Sequence, residues 1–325
     1  MRYTLIPNRA SALTEPTVKT GMICMVVAML LLPVSDTFAK ILTGVLSPVE
    51  VTMWRLLAQA LCFVPVFIFM RHRLHGDMFS PVVALSGLLL MITLTSLVTA
   101  FSVMPIATAI AIFFAEPLIL TLLAGPLLGE VAGPRRYAAV GVGLIGALIV
   151  IRPGFSEFGL ATLLPLIAAT AYALNMIVLR RACTTRSGLT VQCGATLYAT
   201  LGMVVILGAF SAVGAIEVAP LARPTWTWWA ILCCGALAAA SYVLIAEAFR
   251  HAQATILAPF QYLEIVGATA AGYFVFSEFP DGLTWLGIVI ILGSGAYIFQ
   301  RERQSGASAP GGRRGGRRAV WTKRG

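Results

Sequence analysis

From Gly21 to Phe299 the sequence is an almost unbroken succession of apolar windows, interrupted only where charges, prolines and glycines collect. A bilayer core about 30 Å thick is crossed by about 20 apolar residues in a helix, so this pattern dictates a polytopic membrane protein. Bulk composition agrees: 59% of the residues are hydrophobic, 11% are charged and the mean hydropathy is +0.90, which excludes an ordinary soluble globular domain. The breaks give ten spans, at 20–43, 47–70, 79–103, 105–128, 134–152, 157–180, 188–213, 226–249, 253–276 and 282–300. Between Phe79 and Leu128 the only charge is Glu116. At about 1.5 Å per residue one helix there would be about 75 Å long, too long for one crossing, so Met104-Pro105 is expected to turn the chain.

The +10 net charge does not point to nucleic acid, because the basic residues punctuate apolar runs instead of forming one face of a folded domain. Counted by side with the N-terminus inside, 19 of the 23 Lys and Arg residues fall in the cytoplasm, leaving Lys40, Arg55, Arg152 and Arg223 outside or within spans. Both termini are thus expected in the cytoplasm of a cell whose inner membrane holds the chain. Met22 to Ala39 has the look of a signal peptide, but removing it would leave nine spans and break the repeat described next. The six cysteines lie in or beside apolar stretches without CxxC spacing and read as small packing residues. Segment 1–19 is expected to be cytoplasmic, and 301–325, with its Gly-Gly-Arg-Arg pairs, a disordered basic cytoplasmic tail that touches anionic headgroups.

An internal repeat decides the architecture. At an offset of 148, Ala100-Phe101 matches Ala248-Phe249, Glu116 matches Glu264 and Glu130 matches Glu278. With five spans in each half, 20–152 and 157–300, the second copy must sit upside down relative to the first. The expectation is an all-α protein of ten transmembrane helices in two inverted five-helix repeats. Gly141, Gly143, Gly146 and Ala147 in the fifth span, and Gly287, Gly293, Gly295 and Ala296 in the tenth, permit close helix approach, with a homodimer contact as a further use of the same residues.

In this order and on this repeat, several short motifs resemble the drug/metabolite transporter superfamily in its EamA branch: Asp36-x-x-x-Lys40, Arg55, Gly129-Glu130, Arg135-Arg136, Arg152-Pro153-Gly154 and Ser277-Glu278. The resemblance covers about residues 20 to 300. It implies a metabolite carrier with a central cavity lined by the third, fourth, eighth and ninth helices, in a branch that includes riboflavin, S-adenosylmethionine and amino-acid carriers.

Ionised side chains near mid-membrane are expensive and mark function or a buried partner. Glu116 and Glu264 each lie 11 residues into their spans. They are expected to face the cavity and to bind a cationic group or carry a proton, since low dielectric penalises the charged carboxylate; a structural hydrogen bond to a helix end is the alternative. Pro117 and Pro259 are expected to bend both helices. Gln261 shares a helix face with Glu264, and Tyr262 adds an aromatic surface, though core packing is its simpler role. Asp36 and Lys40, four apart, either neutralise each other or place Asp36 on substrate with Lys40 or Arg55 as its mobile partner. Arg55, eight residues into the second span, could snorkel outward, but the resemblance implies an inward polar contact. Tyr172 and Asn175 occupy the sixth span, with Asn175 where Asp36 falls in the first repeat, so one half carries charge and the other neutral hydrogen-bonding groups. Glu247 and Arg250 read as an interfacial pair or gate element.

A membrane enzyme is the rival class, but no HExxH motif occurs and the three histidines lie at cytoplasmic span ends. No P-loop of the GxxxxGK[ST] form occurs either, which leaves ion gradients or solute exchange as the energy source. No cofactor is expected. The reading is a secondary transporter of a small organic solute, vitamin- or nucleoside-like for uptake, or amino-acid-like for export.

Overall fold

A computed structural model of the chain describes residues 15–128, 134–212, 214, 224–252 and 254–307. Glu130, the first 14 residues and the basic stretch from residue 308 onward lie outside them. The helices are α1 (Glu15–Thr43), α2 (Pro48–Phe69), α3 (Pro81–Phe101), α4 (Ile106–Phe113), α5 (Glu116–Leu128), α6 (Pro134–Phe158), α7 (Leu164–Ala182), α8 (Gly188–Ala212), α9 (Thr225–His251), α10 (Ala254–Gln261), α11 (Leu263–Phe276) and α12 (Gly282–Ala307). Seven helical stretches are long and apolar enough to cross a membrane, the one at Ile106–Leu127 uniting α4 with α5. Three shorter apolar helices, Tyr137–Ile151, Leu263–Phe276 and Gly282–Tyr297, bring the described total to ten.

Local chemistry sets the helix ends. Ser47 caps α2 by accepting from the Glu50 amide while the Glu50 carboxylate accepts from the Ser47 amide at 2.9 Å, and Pro48 occupies the first turn, where its missing N–H is no loss. Ser80 caps α3 by accepting from the Val83 amide, and Pro81 occupies its first turn. The chain turns between Phe101 and Ile106 with Pro105 opening α4, as the Met104-Pro105 pair requires.

Helix packing follows the inverted repeat. The major neighbours of each span belong to the other half: α1 packs on α9 as α7 packs on α3, α2 on α9 as α8 on α3, and α1 on α11 as α7 on α5. Two contacts are their own mirror images, α2 with α8 and α6 with α12. Glycines at one repeat position, 148 residues apart, allow the closest of these approaches. A Cβ on Gly87 of α3 would stand 2.6 Å from the Tyr198 Cβ and 2.8 Å from the Ala195 carbonyl of α8. On Gly235 of α9 it would stand 2.4 Å from the Ala58 Cβ and 2.7 Å from the Gln59 amide of α2. Gly146 and Gly287 likewise seat α6 against α12, whereas Gly141 and Gly293 have open space around them. Apolar side chains such as Ile23, Leu30, Phe67, Ile145, Leu201 and Val289 are exposed on the outer surface, the face that lipid covers.

Candidate functional site

The fourth and ninth spans are each interrupted at the same repeat position. α4 ends before Phe114 and α5 begins at Glu116; α10 ends at Gln261 and α11 begins at Leu263. Pro117 accounts for the first break, since its ring nitrogen cannot donate to the carbonyl one turn back. No proline stands at the second break, where Pro259 lies three residues ahead of Tyr262, so the expected proline bend is replaced by an interruption at the repeat position itself. Both glutamates open the helix that follows the break, half-buried, and among the described residues neither accepts a hydrogen bond or enters an ion pair. Gln261 and Glu264 lie on opposite sides of the interruption instead of on one continuous helix face.

Aromatic rings pair beside the two breaks. Phe113 meets Tyr172 of α7 at 5.6 Å between ring centroids, and Phe114 meets its own repeat partner Tyr262 at 5.9 Å. Glu116 lies within electrostatic range of Tyr172, Tyr262 and Glu264. The Tyr262 hydroxyl end also packs against the backbone of α12 at Gly295, so this tyrosine serves the core as well as the site.

Asp36 does not pair with Lys40. Its carboxylate accepts from the Arg55 guanidinium at 2.8 Å, with both side chains almost wholly buried between α1, α2 and α9. Spacing of four residues made Asp36 and Lys40 neighbours along α1, but Lys40, one turn nearer the helix end, reaches a stronger partner. Its ammonium donates to Glu278 at 2.6 and 2.8 Å and to the Met104 carbonyl at 3.0 Å, and lies 4.8 Å from the Phe276 ring centroid. This cluster ties the end of α1 to the α3–α4 turn and to the segment between α11 and α12. At the opposite end of the bundle Glu247 of α9 accepts from Arg73 at 2.7 Å and from Arg250 at 2.8 Å, with His251 at 3.1 Å.

Asn175 is buried and its side-chain oxygen accepts from Ser86 of α3 at 2.6 Å, a neutral hydrogen bond across the two halves, whereas Asp36 is held by an ion pair within its own half. Sequence reasoning missed Tyr242 of α9, which lies within electrostatic range of Arg55, Asp36 and Glu264 and so links the ion pair to the glutamates. It also missed Gln59, which donates to Thr196 of α8 at 3.0 Å. Both are polar residues inside apolar spans, the signal that singled out the glutamates.

Comparison with known proteins identifies the architecture. The model of the EamA-like transporter family matches residues 19–152 and again 159–300. An S-adenosylmethionine uptake transporter of Rickettsia prowazekii (strain Madrid E) is 27% identical over 276 residues, covering 85% of this chain and 90% of that one. A riboflavin transporter of Rhizobium johnstonii is 30% identical over 206 residues, 63% of this chain and 65% of its own. A crystal structure that shares 18% identity superposes with a TM-score of 0.56 over 88% of this chain and 99% of that one, a likeness of fold. Two family matches in tandem, an inverted helical repeat and paired intramembrane carboxylates together place this chain in the EamA-like transporter family, within the drug/metabolite transporter superfamily, as a multi-pass membrane carrier of small metabolites.

Proposed function

We propose that the chain is a secondary active importer, and no enzyme, for an adenosyl-type organic cation such as S-adenosylmethionine. The observation that carries this reading is the pair of half-buried glutamates at the two helix breaks, without a hydrogen bond or an ion pair among the described residues and with Tyr172, Tyr262, Phe113 and Phe114 at the breaks. Unpaired carboxylates near mid-membrane attract a sulfonium or an ammonium, and the aromatic faces accommodate a flat base beside a cation. The uncharged isoalloxazine of a flavin would use the rings and leave both carboxylates unpaired. Relatives named for S-adenosylmethionine uptake, matched over most of both chains, support the same choice.

In this reading the chain lies in the inner membrane with both termini cytoplasmic, as the distribution of Lys and Arg requires. Lys40–Glu278 then latches the outer end and Arg73–Glu247 the inner end, and the glutamates hold a proton when no cation occupies them, which couples uptake to the proton gradient. Uptake of radiolabelled S-adenosylmethionine into proteoliposomes with an imposed pH gradient tests the proposal, with riboflavin and an amino-acid panel in parallel. Saturable uptake of the adenosyl cation that Glu264→Gln abolishes is the expected result. Transport of riboflavin or amino acids in its place, or full activity in both Glu116→Gln and Glu264→Gln, refutes it.

A further inference from the structure

Arg55 is only 2% exposed, yet it spends a single N–H on Asp36, and its Nε has no hydrogen-bond partner among the described residues. A guanidinium presents its donors in a rigid fork that fits a carboxylate at two points, and a buried donor left unpaired is destabilising. Its neighbours bond elsewhere and none of the described residues reaches Nε. Ser35 donates to the Cys234 carbonyl at 2.9 Å, and the Cys234 thiol donates back to the Ser35 carbonyl at 3.3 Å, so these two satisfy each other. The cations at the two ends differ in this respect, because Lys40 is fully engaged by Glu278 and Met104, and Arg73 is held by Glu247.

The orphaned donor belongs to the helices that pack on the cation site, since α1 rests on α11 with Pro33 against Gly267. Glu264 is within electrostatic range of both Asp36 and Arg55, and Tyr242 is within range of all three. Resting on the import of an adenosyl cation proposed above, the geometry points to Arg55 as the receptor for a carboxylate on the transported solute. Asp36 holds the guanidinium by one oxygen in the empty carrier. An arriving carboxylate takes Nε and a terminal N–H together, and Asp36 turns to the ammonium that accompanies it. Glu116 and Glu264 receive the sulfonium. The solute class is therefore an adenosyl amino acid, carrying carboxylate, ammonium and sulfonium, and not an adenosyl amine.

Competition for S-adenosylmethionine uptake by unmodified protein in proteoliposomes provides the test, comparing S-adenosylmethionine with its decarboxylated analogue, which keeps the base, the sulfonium and the ammonium. A two-point charge-assisted pair predicts that the analogue competes roughly 30-fold more weakly or worse. Arg55→Lys keeps the charge but not the fork, and is expected to lower the apparent affinity for S-adenosylmethionine roughly tenfold and that of the analogue by clearly less, so that the gap between the two narrows. If the analogue competes within about threefold of the parent in the unmodified protein, the carboxylate receptor is overturned while import of adenosyl cations stands. Absence of uptake of either compound overturns both.

Discussion

Gly235→Ala adds one methyl group where α9 crosses α2, and its effect can be worked from the contact distances. The new Cβ would lie 2.4 Å from the Ala58 Cβ and 2.7 Å from the Gln59 amide nitrogen, where carbon atoms in contact rest about 3.5–4.0 Å apart. Side-chain rotation cannot relieve this, because the obstacles are a Cβ and a backbone nitrogen, so the two helices must separate by about 1 Å. Such overpacking typically destabilises by about 1–3 kcal/mol, against about 1 kcal/mol gained from the better helix propensity of alanine. Because both obstacles are rigid, the upper part of that range, about 2–3 kcal/mol, applies and the net loss is about 1–2 kcal/mol, read as a fall of roughly 2–5 °C in the apparent melting temperature of the detergent-solubilised protein. Gly87→Ala, its repeat partner on α3, should fall by a similar amount, since the Tyr198 Cβ and the Ala195 carbonyl stand equally close. Gly141→Ala and Gly293→Ala meet nothing within 4 Å and should be neutral or slightly stabilising. The Gly235 variant should also transport more slowly, because Ala58 and Gln59 lie one turn beyond Arg55 on α2 and Cys234 adjoins Ser35. A Gly235→Ala protein as stable and active as the parent would refute the close approach, and with it the packing drawn from the repeat.

Three further perturbations test the site and its surroundings. Glu264→Gln should reduce uptake more than Glu116→Gln, because Glu264 alone of the two lies within electrostatic range of Asp36 and Arg55, and either change should flatten the response to an imposed pH gradient; initial rates in proteoliposomes decide. Lys40→Met leaves Glu278 and the Met104 carbonyl without their donor and should loosen this end of the bundle by about 1–3 kcal/mol, seen as faster modification of a cysteine placed beside Glu278, with Lys40→Met/Glu278→Gln less severe than the sum of the two single changes. Asp281 caps α12 through the Thr284 amide at 2.9 Å, so Asp281→Ala should lose about 1 kcal/mol in thermal unfolding. Hydrogen bonding from Thr284 holds the Asp281 carboxyl below the usual carboxylate range, so this contribution is complete above about pH 4 and is lost as pH falls through the lowered folded-state value.

Hydropathy and the offset of 148 made the ten spans, the turn at Met104-Pro105 and the pairing of Glu116 with Glu264 legible before any coordinates. Those features depend on one helix at a time, or on comparing two stretches of chain. The partners of Asp36 and Lys40 were not legible, because helical spacing says which residues share a face but not which other helix covers it. Asp36 faces α2, where Arg55 waits, while Lys40 lies beside a segment 238 residues away. Gly87 and Gly235 sit at the same offset as the glutamates and were readable in principle. What they do became visible only with the facing backbone, since a glycine in a membrane helix looks alike whether it faces a neighbouring helix or open space, as Gly141 and Gly293 do.

The placement of polar bonds also bears on how the two halves can move. Among the described residues, side-chain bonds that cross between halves at mid-depth are neutral, such as Ser86 to Asn175, Gln59 to Thr196 and the reciprocal pair of Ser35 with Cys234. Each is worth about 0.5–1.5 kcal/mol net and is easily exchanged. Crossing ion pairs lie at the ends, Lys40–Glu278 at one and Arg73–Glu247 at the other, while the buried pair Asp36–Arg55 stays inside the first half. Rocking one half against the other therefore strains one end pair at a time and never requires a buried charge to leave its partner in the empty carrier. On the proposed import of an adenosyl amino acid, the solute's carboxylate and ammonium would exchange partners with Asp36 and Arg55 within a single half, which would separate the chemistry of binding from the mechanics of opening.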